Sequence, residues 1–263
     1  MKTNTKVLVF SGYGLNCEEE VKFAFELAGA KADIVHINDV IDGKKKLSDY
    51  HILAFPGGFA YGDDTGSGKA YANRVKNHLG AELEKFLREK KLIIGICNGF
   101  QILTQLGILP GALTYNDSNR YIDRWVDLKA EGMAVGEKQS PWLAGVTSLS
   151  VPVAHGEGKF VADKKTLALL KKNKQIAFRY VKGEMSTYQD LPANPNGAME
   201  DIAGVLSHDG RVLGLMPHPD RALFTTQLPN WPLLKDAARR SGGAFPEHAQ
   251  GLQIFRNGIS YFS

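Results

Sequence analysis

Cysteine is scarce in this chain. Its 263 residues include only Cys17 and Cys97. Two cysteines do not make a disulfide framework, and they suit a reducing compartment. Long apolar runs are missing too, so no segment reads as a membrane span. Met1-Lys2-Thr3-Asn4-Thr5 lacks the apolar region of a signal peptide. A soluble, cytoplasmic protein is the expectation. Charge of one sign is not in large excess. The net charge is +4, and the basic runs Lys44-Lys45-Lys46 and Lys171-Lys172 are short. No basic stripe with interleaved aromatics exists to follow a nucleic acid.

Cofactor signatures are equally thin. Gly66-Ser67-Gly68-Lys69 imitates part of a phosphate-binding loop, but Asp63 stands where its first glycine belongs and Ala70 follows the lysine. Gly12-Tyr13-Gly14 has Cys17 where a dinucleotide-binding turn needs its third glycine. No cluster has metal-ligand spacing, so neither a metal site nor an ATP site is expected in this chain. There is no internal repeat and no low-complexity linker. Residues 1–263 read as one domain.

What is present is an alternation of apolar runs and amphipathic stretches. Strands are predicted at Lys6–Phe10, Asp33–Ile37, His51–Phe55 and Leu92–Ile96, with helices at Glu18–Ala28 and Asn73–Lys90 between them. Such spacing indicates a parallel sheet with helices on both faces, whose sites lie at the carboxyl ends of strands. From Arg120 to about Phe160 the pattern becomes antiparallel, with strands at Trp125–Leu128, Leu149–Val153 and Lys159–Val161. A helix at Lys164–Lys171 and a strand at Ile176–Tyr180 follow. Ser186–Gly197 reads as a surface loop, and Ile202–Leu206 with Arg211–Met216 as a hairpin around Asp209-Gly210. The chain closes on a helical pattern over Glu247–Phe262.

Gly95-Ile96-Cys97-Asn98-Gly99 carries the chemistry. A strand, a sharp glycine-flanked turn and a helix make a nucleophile elbow, here with cysteine at its apex. The helix begins at the sulfur, and its free N–H groups and dipole favour thiolate. A cysteine ending a strand can equally be a small core residue. A nucleophile needs a base and a group to orient it. His218, in Met216-Pro217-His218-Pro219-Asp220, is the leading base. Extended backbone before Pro219 would put Asp220 on the same side, as the orienting acid. Its alternative role is a histidine capping a proline-rich turn. His155, in Ala154-His155-Gly156-Glu157-Gly158, is the rival base. The N–H groups of Gly58, in Pro56-Gly57-Gly58-Phe59, and of Asn98 are candidates for an oxyanion hole.

Together these segments resemble the class I (triad) glutamine amidotransferases. Within them the chain is similar to the family of glutaminase subunits of phosphoribosylformylglycinamidine synthases. The resemblance runs through Gly14-Leu15-Asn16-Cys17, Phe55-Pro56-Gly57-Gly58-Phe59-Ala60-Tyr61-Gly62-Asp63 and Gly95–Leu103. It continues through Arg124-Trp125-Val126, Ala154–Gly158, Asn194-Pro195-Asn196-Gly197 and Met216–Pro219.

The resemblance implies a flavodoxin-like α/β sheet with an antiparallel elaboration, and hydrolysis of glutamine through a thioester on Cys97. It implies His218 as base and acid, Gly58 and Asn98 as oxyanion donors, and Gln101, His155 and Gly156 as glutamine contacts. Its implied partners are a large synthetase subunit, which would carry ATP and Mg, and a small bridging subunit. Asp220 departs from the family, which usually has Glu there, and Asp123 stands where many relatives have Cys. Two further readings remain open. One is a stand-alone cysteine hydrolase or peptidase on this fold, and the other is a non-catalytic regulatory paralogue.

Overall fold

The computed structural model describes residues 3–63, 66–131 and 140–263. Among the described residues the first strands are β1 (Lys6–Ser11), β2 (Lys31–His36), β3 (Ile52–Phe55) and β4 (Leu92–Ile96). Then come β5 (Ala112–Thr114), β6 (Ile122–Ala130), β7 (Ser148–His155) and β8 (Lys159–Val161), with β9 (Ile176–Val181), β10 (Ile202–Leu206) and β11 (Val212–Leu215) completing the set. The helices are α1 (Glu18–Leu27), α2 (Ile37–Ile41), α3 (Lys69–Arg88), α4 (Asn98–Gln105), α5 (Lys164–Lys172), α6 (Glu184–Gln189), α7 (Trp231–Ser241) and α8 (Gly251–Ser260).

Among the described residues nine strands form one sheet in the order β2-β1-β3-β4-β11-β10-β9-β6-β7, while β5 and β8 pair separately. The first five run parallel, and the last four alternate antiparallel. The parallel part has the flavodoxin-like order, and the rest is the antiparallel elaboration. β3, β4 and β11 are buried along their whole length, the mark of strands covered on both faces. β7 alternates between buried and half-buried residues, as an outer antiparallel strand does. Its Pro152 is tolerated because β7 is an edge strand. The crossover through α1 runs from β1 to β2 and that through α3 from β3 to β4, in opposite directions along the sheet, and right-handed crossovers then place these helices on opposite faces. α8 packs on the α1 side, with Phe25 and Phe255 edge to face at 5.0 Å.

Several boundaries and one assignment differ from the sequence reading. Ile37 opens the short helix α2 instead of closing β2, because His36 caps it by accepting from the Asn38 N–H at 3.2 Å. The C-terminal helix starts at Gly251, not Glu247. There the chain passes against the turn after His218, and a β-carbon on Gly251 would sit 2.5 Å from the Pro219 carbonyl oxygen. α7 went unread because none of its residues is buried. Ser186–Gly197 is not a plain surface loop. It begins inside α6, and both Ser186 and Asn196 are buried. Their polar groups are satisfied internally: Asp127 Oδ2 accepts from the Ser186 N–H at 3.1 Å, and Asn196 bonds to the turn at residue 158.

Candidate active site

β4 and β11 are parallel neighbours, with Ile96 opposite Leu215. Their carboxyl ends therefore deliver Cys97 and His218 to the same place. The Cys97 N–H closes the register by donating to the Leu215 carbonyl at 2.8 Å. Cys97 then leaves the strand with φ 51° and ψ −108°, a strained conformation for a side-chain-bearing residue. The flanking glycines make the turn feasible. A β-carbon on Gly95 would lie 2.6 Å from the Gly99 carbonyl oxygen, and one on Gly99 would strike the carbonyl oxygen of Phe55. The sequence-predicted elbow is therefore present, with α4 starting at Asn98. The thiol lies 3.7 Å from the Ala154 carbonyl oxygen, on the adjoining antiparallel region.

His218 is fixed at both ends. Its backbone N–H donates to the Pro152 carbonyl of β7 at 2.8 Å. Its ring Nδ1 lies 3.3 Å from Asp220 Oδ1 and 3.4 Å from Oδ2. The ring nitrogen thus faces both carboxylate oxygens directly, at the long end of hydrogen bonding, with no bridging atom needed. Oδ1 has no other hydrogen-bond partner among the described residues. Burial on its own would push the imidazole pKa down. The buried Asp220 carboxylate and the hydrogen bonds to Asp220 and Cys97 reverse this and hold it at about 10. His218 is therefore an imidazolium at neutral pH, with Asp220 on one side and the Cys97 sulfur on the other.

The Gly57 carbonyl accepts from the N–H groups of Asn16 and Cys17, each at 3.2 Å. In a planar trans peptide the next N–H points the opposite way. The Gly58 N–H is therefore turned away from the N–H groups of residues 16 and 17, and Gly58 shares a cavity wall with Cys97. Gly58 has φ 150°, and a β-carbon there would lie 2.5 Å from the Gly14 carbonyl oxygen. Asn98 supplies the first N–H of α4, which has no acceptor within its own helix. Its side chain is engaged elsewhere, accepting from the Ala60 N–H at 3.2 Å. Asn16, Cys17, Gly58, Cys97, His218 and Arg221 line a cavity of about 80 Å³.

Cys17 and Arg221 received no role from the sequence, yet both stand on this wall. Arg221 Nη2 donates to the Cys17 sulfur at 3.0 Å and approaches Glu20 Oε1 at 3.5 Å. Burial, with the Asp220 charge adding to it, pushes the Cys17 thiol up to about 12. Cys17 is a neutral thiol that packs beside the site, and Cys97 is the cysteine at the elbow. Close packing against Gly57 explains its place: a β-carbon on Gly57 would lie 3.1 Å from Cys17 Sγ and 2.7 Å from His218 Cε1.

Gln101 lies one turn along α4. Its Oε1 accepts from Asn98 Nδ2 at 2.6 Å, and its Nε2 donates to the Glu157 carbonyl at 2.6 Å. It therefore ties the elbow helix to the turn after β7. The ring of His155 is not on the cavity wall. It is buried, with Nδ1 3.0 Å from Asn116 Oδ1 and Nε2 3.5 Å from Asn196 Nδ2. Burial, aided by nearby His218, lowers its pKa to about 3, so this ring is neutral. It is therefore placed to support its turn and not to serve as the base. Gly156 stands at the open side of that turn, where a β-carbon would meet nothing within 4 Å. Asn116 and Asn196 were missed as members of this cluster. Asn196 stood in a segment read as exposed loop, and Asn116 in Tyr115-Asn116-Asp117-Ser118 carries only a turn signal.

Residues 4–262 match the family model for the CobB/CobQ-like glutamine amidotransferase domain. The chain is 50% identical over 275 residues to phosphoribosylformylglycinamidine synthase subunit PurQ of Methanococcus maripaludis strain C7, covering 100% of this chain and 99% of the relative. It is 38% identical over 267 residues to the subunit of the same name from Dehalococcoides mccartyi, covering 98% of each. Among solved structures, a chain of PurLQS from Thermotoga maritima superimposes with a TM-score of 0.73 at 30% identity, covering 99% of this chain and 100% of that one. The chain belongs to the CobB/CobQ-like glutamine amidotransferase family.

Proposed function

We propose that this chain is the glutaminase subunit of a phosphoribosylformylglycinamidine synthase, acting in purine biosynthesis. The observation that carries the chemistry is that a strained cysteine and a histidine whose ring faces a buried carboxylate meet on one small cavity, with Gly58 on its wall. The full-length likeness to relatives named for that synthase carries the biological assignment.

In the proposed reaction the Cys97 sulfur, as a thiolate paired with the His218 imidazolium, attacks the side-chain carbonyl carbon of glutamine. The carbonyl π electrons move to oxygen, and the oxyanion accepts from the Gly58 and Asn98 N–H groups. The His218 imidazolium gives its proton to the amide nitrogen. The tetrahedral intermediate then collapses, breaking the C–N bond and releasing ammonia. Neutral His218 next takes a proton from water, whose oxygen attacks the thioester. Glutamate leaves and Cys97 regains its electron pair, with His218 again protonated. Asp220 orients the ring and stabilises its charged form. Gln101 and the backbone at Gly156 receive the amino-acid end of glutamine.

Ammonia passes to the synthetase partner, with a small bridging subunit completing the assembly. ATP and Mg are assigned to that partner. Residues 1–263 are read as one domain, which the family match over residues 4–262 supports. Among the described residues no helix is long and apolar enough to cross a membrane, and we place the reaction in the cytoplasm.

The test is Cys97→Ser in the reconstituted complex. Glutamine-dependent synthesis should fall by at least about 10³-fold, while ammonia-dependent synthesis persists. Loss of both activities from an intact assembly would refute this division of labour.

A further inference from the structure

Four backbone carbonyls of the turn after β7 are each held by a different group. The His155 carbonyl accepts from Asn116 Nδ2 at 2.9 Å. The Gly156 carbonyl accepts from the Asn116 backbone N–H at 3.0 Å. The Glu157 carbonyl accepts from Gln101 Nε2 at 2.6 Å, and the Gly158 carbonyl from Asn196 Nδ2 at 2.8 Å. The Gly158 N–H donates to Asn116 Oδ1 at 3.1 Å, beside the His155 ring at 3.0 Å. Asn116 therefore makes three backbone bonds to this turn and one to its ring. It donates once more, to the Arg120 carbonyl at 2.9 Å. Both orientations of its amide are settled by this set, because one end faces only donors and the other only carbonyls.

We propose that Asn116 is a positioning residue for glutamine, acting through the backbone of residues 155–158. The inference rests on the glutaminase reading. This turn joins Ala154, whose carbonyl oxygen is 3.7 Å from the Cys97 sulfur, to Glu157, whose carbonyl holds Gln101. Its placement therefore sets the spacing between the nucleophile and the groups that receive the amino-acid end of the substrate. None of these bonds uses the N–H groups of Gly156 and Glu157, and open space lies beside Gly156. A substrate can meet that edge of the turn, while Asn116 holds the other from beneath. Asn116 is itself 1% exposed and never reaches the cavity wall. Loss of its side-chain amide leaves the His155 and Arg120 carbonyls and the Gly158 N–H to find new partners, which loosens the turn without touching Cys97 or His218.

The measurement is steady-state kinetics of the complex with its synthetase partners. Asn116→Ala should raise KM for glutamine at least 10-fold, keep kcat within about 3-fold and leave ammonia-dependent synthesis unchanged. A merely structural role would lower the thermal midpoint or both activities together without that split. A glutamine KM within 2-fold of wild type overturns the proposal. Should Asn116→Ala fail to assemble, the isosteric Asn116→Asp decides. It keeps the acceptor for the Gly158 N–H but loses the donors to residues 120 and 155. A KM raised at least 3-fold supports the proposal, and an unchanged one overturns it. A wild-type complex that cannot use glutamine at all defeats the glutaminase reading instead.

Discussion

His218 and His155 are both 2% exposed, yet folding drives them to opposite charge states. His218, at the end of the parallel strand β11, is held up at about 10. His155, at the end of the antiparallel strand β7, is lowered to about 3. Burial disfavours the imidazolium in both. The partner decides between them. Nδ1 of His218 faces the Asp220 carboxylate at 3.3 Å, whereas Nδ1 of His155 faces the uncharged Asn116 amide at 3.0 Å. One residue type is thus a charged ring beside Cys97 in one half of the sheet and a neutral prop in the other. The division follows the architecture. The parallel half delivers Cys97 and His218 at the ends of strands, and in the proposed reaction the antiparallel half supplies the backbone against which the substrate is set.

Replacing Asp220 should break this contrast most strongly. With Asp220→Asn, His218 would face an amide, as His155 does, and lose the charge that offsets its burial. Glutamine-dependent turnover should fall by about 10- to 10²-fold, well short of the loss in Cys97→Ser, because Asp220 acts only through the ring. Ammonia-dependent synthesis of the complex should not change. An Asp220→Ala variant with wild-type turnover would remove Asp220 from the triad and end the comparison.

A smaller effect lies in the pH dependence of stability. His218 binds its proton more tightly in the folded protein, at about 10, than at its ordinary 6.5. Its contribution is complete below pH 6.5 and is lost as pH rises through about 10. Urea midpoints of wild type and Asp220→Asn should therefore converge between pH 6.5 and 10. A constant gap across that window would show that Asp220 does not hold the proton on His218.

The smallest effect belongs to His155 and has the opposite sign. Its folded pKa of about 3 lies below the ordinary 6.5, so the unfolded chain takes up this proton first. The stability it contributes is present above pH 6.5 and is lost as pH falls towards 3. Histidine nitrogen NMR should find its ring neutral, with hydrogen on Nδ1, down to about pH 4. A ring that titrates near 6.5 would mean that the buried cluster opens in solution.

The parallel half was legible in the chain because burial on both faces demands uninterrupted apolar runs, and β3, β4 and β11 have them. The elbow was legible for a local reason: Gly95, Cys97 and Gly99 must be adjacent to make that turn. His218 and Asp220 were equally accessible, two residues apart on one short segment. α7 left little trace because it buries no residue. The antiparallel clamp left little because its partners are remote. Asn116 reaches His155 and Gly158, and Asn196 reaches Gly158, across 38 to 42 positions. Cys17 and Arg221 meet across 204.

The amino-acid order by itself determined which residues could react, since a strained turn and a short proline-bounded segment are properties of neighbours. Only the tertiary structure decided which of two buried histidines is charged. That choice depends on the group facing each ring. The carboxylate facing His218 is local, whereas for His155 the neutral amide arrives only when the turn after β5 packs against the end of β7.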